Sequence, residues 1–213
     1  MCPEIISKLF KEVMKMNVFT FLAPFYNMIL FGVHKRQGKE LLDRLYPLKG
    51  KKVLDLGGGT GKFAAQMSSV GADVWVLDAS PQMLKRASRI LPYDRIILGD
   101  AISLPFSDNT FDIITLVDVF HHIRNQEGTL IECYRVLRPG GSLCFLEFSP
   151  ERLSIRILAV AERFFGEPSL FLSPEELTEL LKKAGFIEIN TEYILADEYV
   201  TKVKKPVNSF QRS

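Results

Sequence analysis

Two carboxylates around a glycine turn carry the strongest chemical signal in this chain. The run Lys52-Val53-Leu54-Asp55-Leu56-Gly57-Gly58-Gly59-Thr60-Gly61-Lys62-Phe63 leads from an apolar strand through a tight turn into an amphipathic helix. Glycines at 57, 59 and 61 remove side chains where the backbone must turn sharply, and they let it approach a ligand closely. That pattern alone is shared by nucleotide-binding folds of many chemistries. Asp55 narrows the choice, because it sits two residues before the first glycine, inside the end of the strand. Asp78 ends a second apolar strand about 20 residues further on, which suits the two hydroxyls of a ribose. A pyrophosphate would want helix amides free to receive it. A carboxylate at the mouth of the turn repels a pyrophosphate and favours a cationic ligand. S-adenosylmethionine, with its ammonium and sulfonium, fits such a site better than a nicotinamide dinucleotide.

Composition limits the other readings. A chain of 213 residues that is 47% hydrophobic has enough apolar material for one well-buried domain. A net charge of +2 gives no electrostatic case for nucleic acid. The Lys202, Lys204, Lys205 cluster near the end reads as a solvated tail. The three cysteines (Cys2, Cys133, Cys144) form no C-x-x-C pair and no metal-ligand spacing. Cys133 falls in a helical pattern and Cys144 in an apolar strand, so both read as buried structural thiols, in keeping with a reducing cytoplasm. Lysines 8, 11 and 15 precede an apolar run from Val18 to Val33, but Asn17, Thr20, Pro24, Tyr26 and Asn27 interrupt it. With no small-residue cleavage site either, it is expected neither to span a membrane nor to be a signal peptide. It leaves room for a peripheral membrane contact or a substrate-facing lid.

The elements that must hold the acids alternate strand and helix. Strands are expected at Lys52–Leu56, Asp73–Leu77, Arg95–Leu98, Phe111–Leu116 and Ser142–Phe148, the last after a Pro139-Gly140-Gly141 turn. Helices are expected over 62–70, from Ser80-Pro81 to about Ile90, and over Gln126–Leu137, with Ser80 as a cap and proline in the first turn. This alternation predicts an α/β, Rossmann-like, doubly wound sheet. It ends differently: a capping box at Ser173-Pro174-Glu175-Glu176 opens a helix that Gly185 stops, and two β-rich runs (Phe186–Ile194 and Tyr199–Val203) follow. They predict a closing hairpin, hence a seven-stranded, mostly parallel sheet with one antiparallel strand. The apolar stretch between Pro150 and Leu172 reads either as a helix on the core or as a pocket wall. One domain is expected: an N-terminal helical lid segment (1–46), a donor-binding core (50–149), a substrate-side insert (150–172) and a closing helix and hairpin (173–213).

The chain resembles the class I S-adenosylmethionine-dependent methyltransferases. The blocks Val53–Gly61, Val76-Leu77-Asp78-Ala79-Ser80, Gly99-Asp100-Ala101 and Tyr134–Gly141 carry that resemblance, in that order. A narrower likeness, to the ubiquinone/menaquinone biosynthesis C-methyltransferases, rests on Pro105–Asp112, Leu146-Glu147-Phe148-Ser149, Phe25-Tyr26-Asn27-Met28 and Phe31-Gly32-Val33-His34. The chain has its own residues at Lys62, Asn27 and His121-His122, where that group carries an acid, an aspartate and Arg-Asn.

The resemblance implies a role for each position. Asp55 would hold the ammonium end of the donor, with Gly57, Gly59 and Thr60 as loop contacts. Asp78, next to Ala79, would accept the ribose hydroxyls. Met83 would lie against the adenine, with Asp100 and Ala101 at its exocyclic amine. Val117 would line the cleft by its backbone, and Tyr26 would close over it as a lid. Plainer readings exist: strand-end caps for Asp55 and Asp78, core packing for Met83, a turn for Asp100. Methyl transfer is an in-line displacement from a sulfonium, so the protein mainly aligns the reactants and excludes water. Methylating a carbon also requires a proton to be removed, and His121 and His122, after the fourth strand, are the candidates. Asp118 is a further acid at the same mouth. The expected activity is S-adenosylmethionine-dependent methylation of a small, apolar or prenylated acceptor, quinol-type carbon being favoured. Another small molecule (an amine or a phospholipid headgroup) or a non-catalytic donor-binding module remains open.

Overall fold

The structure, a computed structural model, describes residue 38 and residues 40–164, 166, 168–195 and 198–207. Tyr26, His34, Cys2 and most of the expected lid lie outside the described residues. The strands are β1 (Lys52–Leu56), β2 (Asp73–Asp78), β3 (Ile96–Leu98), β4 (Phe111–Val117), β5 (Leu137–Phe148), β6 (Ile187–Tyr193) and β7 (Glu198–Lys204). They form one seven-stranded sheet in the order β3-β2-β1-β4-β5-β7-β6. The first five run parallel. β7 is antiparallel to both β5 and β6, so the hairpin places one reversed strand inside the sheet, as expected.

Side chains that alternate along β1 explain how the sheet is covered. Leu54 and Leu56 point into a cluster with Ile114, Leu116, Leu143 and Phe145. The helices α4 (Gln126–Val136) and α6 (Pro174–Lys183) close that face with Leu130, Cys133, Leu177 and Leu181. Val53 points the other way, with Val74, Val76, Ile113 and Leu146. There α1 (40–45), α2 (Lys62–Ser69) and α3 (Pro81–Ala87) contribute Leu41, Leu45, Ala64, Met67, Leu84 and Ala87. A parallel strand buried on both faces reads as a nearly continuous apolar run, as β1 and β4 do apart from Lys52, Asp55, Asp112 and Thr115. Cys133 and Cys144 are buried in these cores. Among the described residues no helix is long and apolar enough to cross a membrane.

Local chemistry sets the element ends. Ser80 Oγ accepts from the Met83 amide at 3.3 Å, and proline sits in the first turn of α3. Ser173 and Glu176 complete the capping box of α6 at 3.2 and 2.8 Å. Gly185, at φ +94°, ends that helix in the left-handed region.

Three expectations need correction. α3 stops at Ala87, not near Ile90, because the following amides bond in tighter turns ahead of Pro92. Pro139-Gly140-Gly141 does not end the ladder. β5 begins at Leu137, pairs with Phe111, and passes a register shift before Ser142; Gly140 and Lys205 hold it there, through Gly140 N–H to Lys205 O at 2.9 Å and Lys205 N–H to Gly141 O at 3.0 Å. The tail lysines are not all solvated. Lys205 is buried, and its Nζ donates to Asn109 Oδ1, Tyr134 O and Leu137 O, each at 2.8 Å.

The insert resolves into α5 (Leu153–Phe164), which turns Ile155, Ala159 and Glu162 inward and leaves Leu153, Ile157 and Val160 exposed. Gly166 and Pro168 beyond the helix join the wall of the main cleft.

Candidate functional site

Sheet order reverses between β1 and β4, and a ligand crevice is expected there, outside the carboxyl ends of the strands. A cleft of about 1030 Å³ opens at that place. Acids stand at the ends of four neighbouring strands: Asp55 in β1, Asp78 closing β2, Asp118 directly after β4, and Glu147 near the end of β5.

The glycine turn forms the floor. Gly57, Gly59 and Gly61 all have positive φ, at 71°, 53° and 74°. At Gly57 a β-carbon would come within 2.3 Å of Val119 Cγ2, and at Gly58 within 2.6 Å of Asp55 Oδ2. The turn therefore needs glycine for its backbone conformation and for space. Asp78 fastens it, because Oδ2 accepts the Gly59 amide at 2.9 Å and Oδ1 the Ser80 amide at 2.8 Å. Burial nevertheless leaves its carboxyl above the ordinary value, against those two hydrogen bonds.

Asp55 lies under this floor, almost fully buried. Its Oδ1 accepts from Thr115 Oγ1 at 2.8 Å, while Oδ2 is a buried oxygen without a hydrogen-bond partner. Burial pushes its carboxyl up to about 7, against the Thr115 bond and with a further upward push from Asp78. An orphaned carboxylate oxygen beneath a glycine cradle, beside a second acid that lines the cleft, fits a donor with an ammonium group and a ribose diol.

Gly57, Gly59, Asp78, Ala79, Met83, Asp100 and Ala101 all line the cleft. Asp100 is exposed, and its Oδ1 accepts the Ile102 amide at 3.2 Å. Thr60 and Val117 adjoin the lining rather than belonging to it. Val117 packs toward the core, and Asp118 and Val119 take the place expected of it.

The two histidines diverge. His121 is buried and is not in the cleft wall. Its Nδ1 lies 2.6 Å from Glu147 Oε2, its Nε2 lies 3.9 Å from Asp118 Oδ1, and Phe171 stacks on the ring at 4.0 Å. Burial opposes its charge, but Glu147, with Asp118 and Glu162, outweighs burial and lifts the imidazole to about 9. His122 does line the cleft. Burial, and then the charge of His121, hold it down to about 3. Asp118 is lifted to about 7 by burial, with His121 opposing and Glu147, Glu162 and Glu198 adding.

Sequence reasoning gave no role to Glu147, which organises this corner. Its Oε1 accepts the Val119 and Phe120 amides at 3.1 and 2.6 Å while its Oε2 holds His121. Glu162, bonded to Ser169 Oγ, was also missed. The signal for Glu147 was an acid in a run of buried strand residues, where only a paired carboxylate belongs. For Glu162 a helical pattern offered none. The segment after α5 is stitched to the same corner: Leu170 N–H donates to His121 O at 2.7 Å, and Gln126 Nε2 bridges Phe120 O and Leu170 O.

Known proteins resemble this chain in sequence and in fold. Residues 54–145 match the family model of a methyltransferase domain. The chain is 32% identical over 203 residues to a ubiquinone/menaquinone biosynthesis C-methyltransferase of Cereibacter sphaeroides, covering 80% of this chain and 81% of that one. It is 30% identical over 199 residues to a demethylmenaquinone methyltransferase of Thermotoga maritima, covering 80% and 87%. Among solved structures, phosphoethanolamine N-methyltransferase 2 of Haemonchus contortus with S-adenosylmethionine superposes with a TM-score of 0.67. Its identity is 22%, over 80% of this chain and 52% of that one, so this likeness concerns the fold. With the cradle, the paired acids and these relatives together, the chain belongs to the class I S-adenosylmethionine-dependent methyltransferases, in the group of the ubiquinone/menaquinone biosynthesis C-methyltransferases.

Proposed function

We propose that the acceptor is an apolar, quinol-type ring, methylated on carbon. One observation carries this reading: similarity to C-methyltransferases covers 80% of this chain, more than the 54–145 span of the general domain. The apolar side chains of Ile102, Val119, Ile123 and Pro168 along the cleft agree with a greasy substrate.

In this reading Asp55 receives the donor's ammonium through its buried oxygen, and Asp78 takes the ribose hydroxyls on lone pairs left over by Gly59 and Ser80. Gly57 and Gly59 offer backbone at close range, with Thr60 behind them. Met83 and Ala79 flank the adenine, and Asp100 and Ala101 meet its edge. When bound, S-adenosylmethionine supplies an activated methyl group. The residues supply alignment and a dry, shaped cleft. Incubating the full-length protein with methyl-labelled S-adenosylmethionine and a lipid extract rich in demethylated quinols tests the acceptor. Label in a lipid-soluble product supports it; label absent from every quinol fraction removes it.

The acids at the acceptor mouth favour a second reading. Asp118 lines the cleft, and Glu147, Glu162 and Glu198, buried behind it, each lie close enough to act on it; an excess of negative charge attracts a cationic amine. In the same assay that acceptor would carry label into the aqueous phase.

A further inference from the structure

Adding a methyl group to an aromatic carbon leaves one proton to be removed. The ring carbon bonds to the methyl carbon, the methyl–sulfur bond breaks with its electron pair going to sulfur, and the acceptor gives up H⁺ from its hydroxyl or from the substituted carbon. Neither histidine is suited to receive it. His121 is walled off behind Phe171 and already carries its proton toward Glu147. His122 faces the cleft but is held near 3, too low for an effective base near neutrality.

Asp118 differs from both. It lines the cleft, its side chain is 11% exposed, and it directly follows the last residue of β4. Its φ of +53° is left-handed, a backbone state that non-glycine residues adopt sparingly and that gathers at functional sites. The chain is held in that state by the bond from Asp118 N–H to Leu146 O at 2.9 Å. Behind the carboxylate stands His121 Nε2 at 3.9 Å, and behind His121 stands Glu147 at 2.6 Å, itself fixed by the Val119 and Phe120 amides. The groups facing Asp118 are His121, which favours its anion, and Glu147, Glu162 and Glu198, which disfavour it. His121 opposes burial and the three glutamates, so the carboxyl is poised near neutrality rather than fixed in one state.

We propose that Asp118 is the catalytic residue that takes the acceptor's proton, with His121 and Glu147 as positioning residues that hold an imidazolium against it. The proposal deepens the C-methylation reading above and rests on it. Asp118→Asn should lower kcat by about 10²–10⁴-fold, the usual worth of a general base, with S-adenosylhomocysteine binding retained; Asp118→Glu should recover part of the loss. The rate should rise with pH through about 7 in the wild type. In His121→Gln this rise should move to higher pH, because the cation that favours the Asp118 anion is gone. A merely structural His121 would lower the rate equally at every pH.

A second arm needs no acceptor. With carboxyl-labelled aspartate in the protein saturated with S-adenosylhomocysteine, carbon NMR should show one resonance titrating near neutrality, absent in Asp118→Asn and shifted upward in His121→Gln. An Asp118 resonance that titrates in the ordinary carboxylate range overturns the proposal, and so does full activity in Asp118→Asn. Wild-type protein that labels no quinol refutes the acceptor reading and leaves the NMR arm to decide on Asp118.

Discussion

Replacing Asp55 by asparagine separates what this residue does for the donor from what it costs the fold. In the donor-free protein burial raises its carboxyl from the ordinary 3.8 to about 7. Between those values the unfolded chain ionises Asp55 while the folded chain keeps it protonated. The unfolded state then binds fewer protons, so stability falls as pH rises through this window. At 1.36 kcal/mol for each decade, the loss reaches roughly 4 kcal/mol by pH 8. The substituted carboxamide cannot ionise, and its carbonyl can still accept from Thr115. Its buried N–H₂ group costs about 1–3 kcal/mol, the usual charge for an unsatisfied polar group, but that cost is the same at every pH. Urea unfolding of both proteins at pH 4 and pH 8 should show the stability difference shifting by roughly 4 kcal/mol in favour of Asp55→Asn. Groups common to both proteins cancel in that comparison. The donor should respond oppositely: without the anion, S-adenosylhomocysteine binding should weaken by ~1.5–3 kcal/mol, or about 10–100-fold. In the wild type near pH 6.5, binding should release protons, seen as a buffer-dependent heat. A stability difference that does not move with pH, or binding unaffected by the substitution, would refute this view of Asp55.

At the glycine turn, Gly57→Ala places a β-carbon 2.3 Å from Val119 Cγ2 at a φ of 71°, so it should weaken S-adenosylhomocysteine binding and lower Tm. Adding Val119→Ala should restore part of the Tm, because it removes the clash and not the backbone strain. Glu147→Ala leaves the His121 charge and two amides without their partner and should destabilise the protein by about 3–5 kcal/mol, measured by urea unfolding. Burial pushes the Cys144 thiol up to about 12 and that of Cys133 higher still. Both should resist a thiol reagent in the native protein and react only after unfolding.

The parts of the fold that repeat local rules were legible in the chain. β1 and β2 are apolar runs closed by an acid and a turn, and α6 announces itself by its capping box and by Gly185. The register shift in β5 was not legible. Pro139-Gly140-Gly141 has the composition of a turn, and only pairing with Phe111 and Lys205, distant in sequence, keeps it in the ladder. Lys205 was misread for the same reason, since its three carbonyl and amide partners come from residues 109, 134 and 137. At the site, the donor half follows from short-range pattern: glycine spacing and strand-end acids fix where Asp55 and Asp78 must lie. The acceptor half depends on tertiary meetings. His121 and His122 are adjacent in sequence, yet one turns inward to Glu147 and the other toward the cleft. That split arises from the short helical turn at Phe120–His122 and from the left-handed backbone at Asp118, neither of which has a compositional signature.

The most direct test of the donor site is calorimetric titration of the full-length protein with S-adenosylhomocysteine, beside Asp78→Ala. That substitution removes the acceptor proposed for the ribose and releases the Gly59 and Ser80 amides that brace the turn. Saturable one-to-one binding by the wild type, weakened by ~1.5–3 kcal/mol or more in the variant, is the predicted result. Equal binding by the two proteins, or none by a folded wild type, would contradict a donor site built on the glycine turn and Asp78.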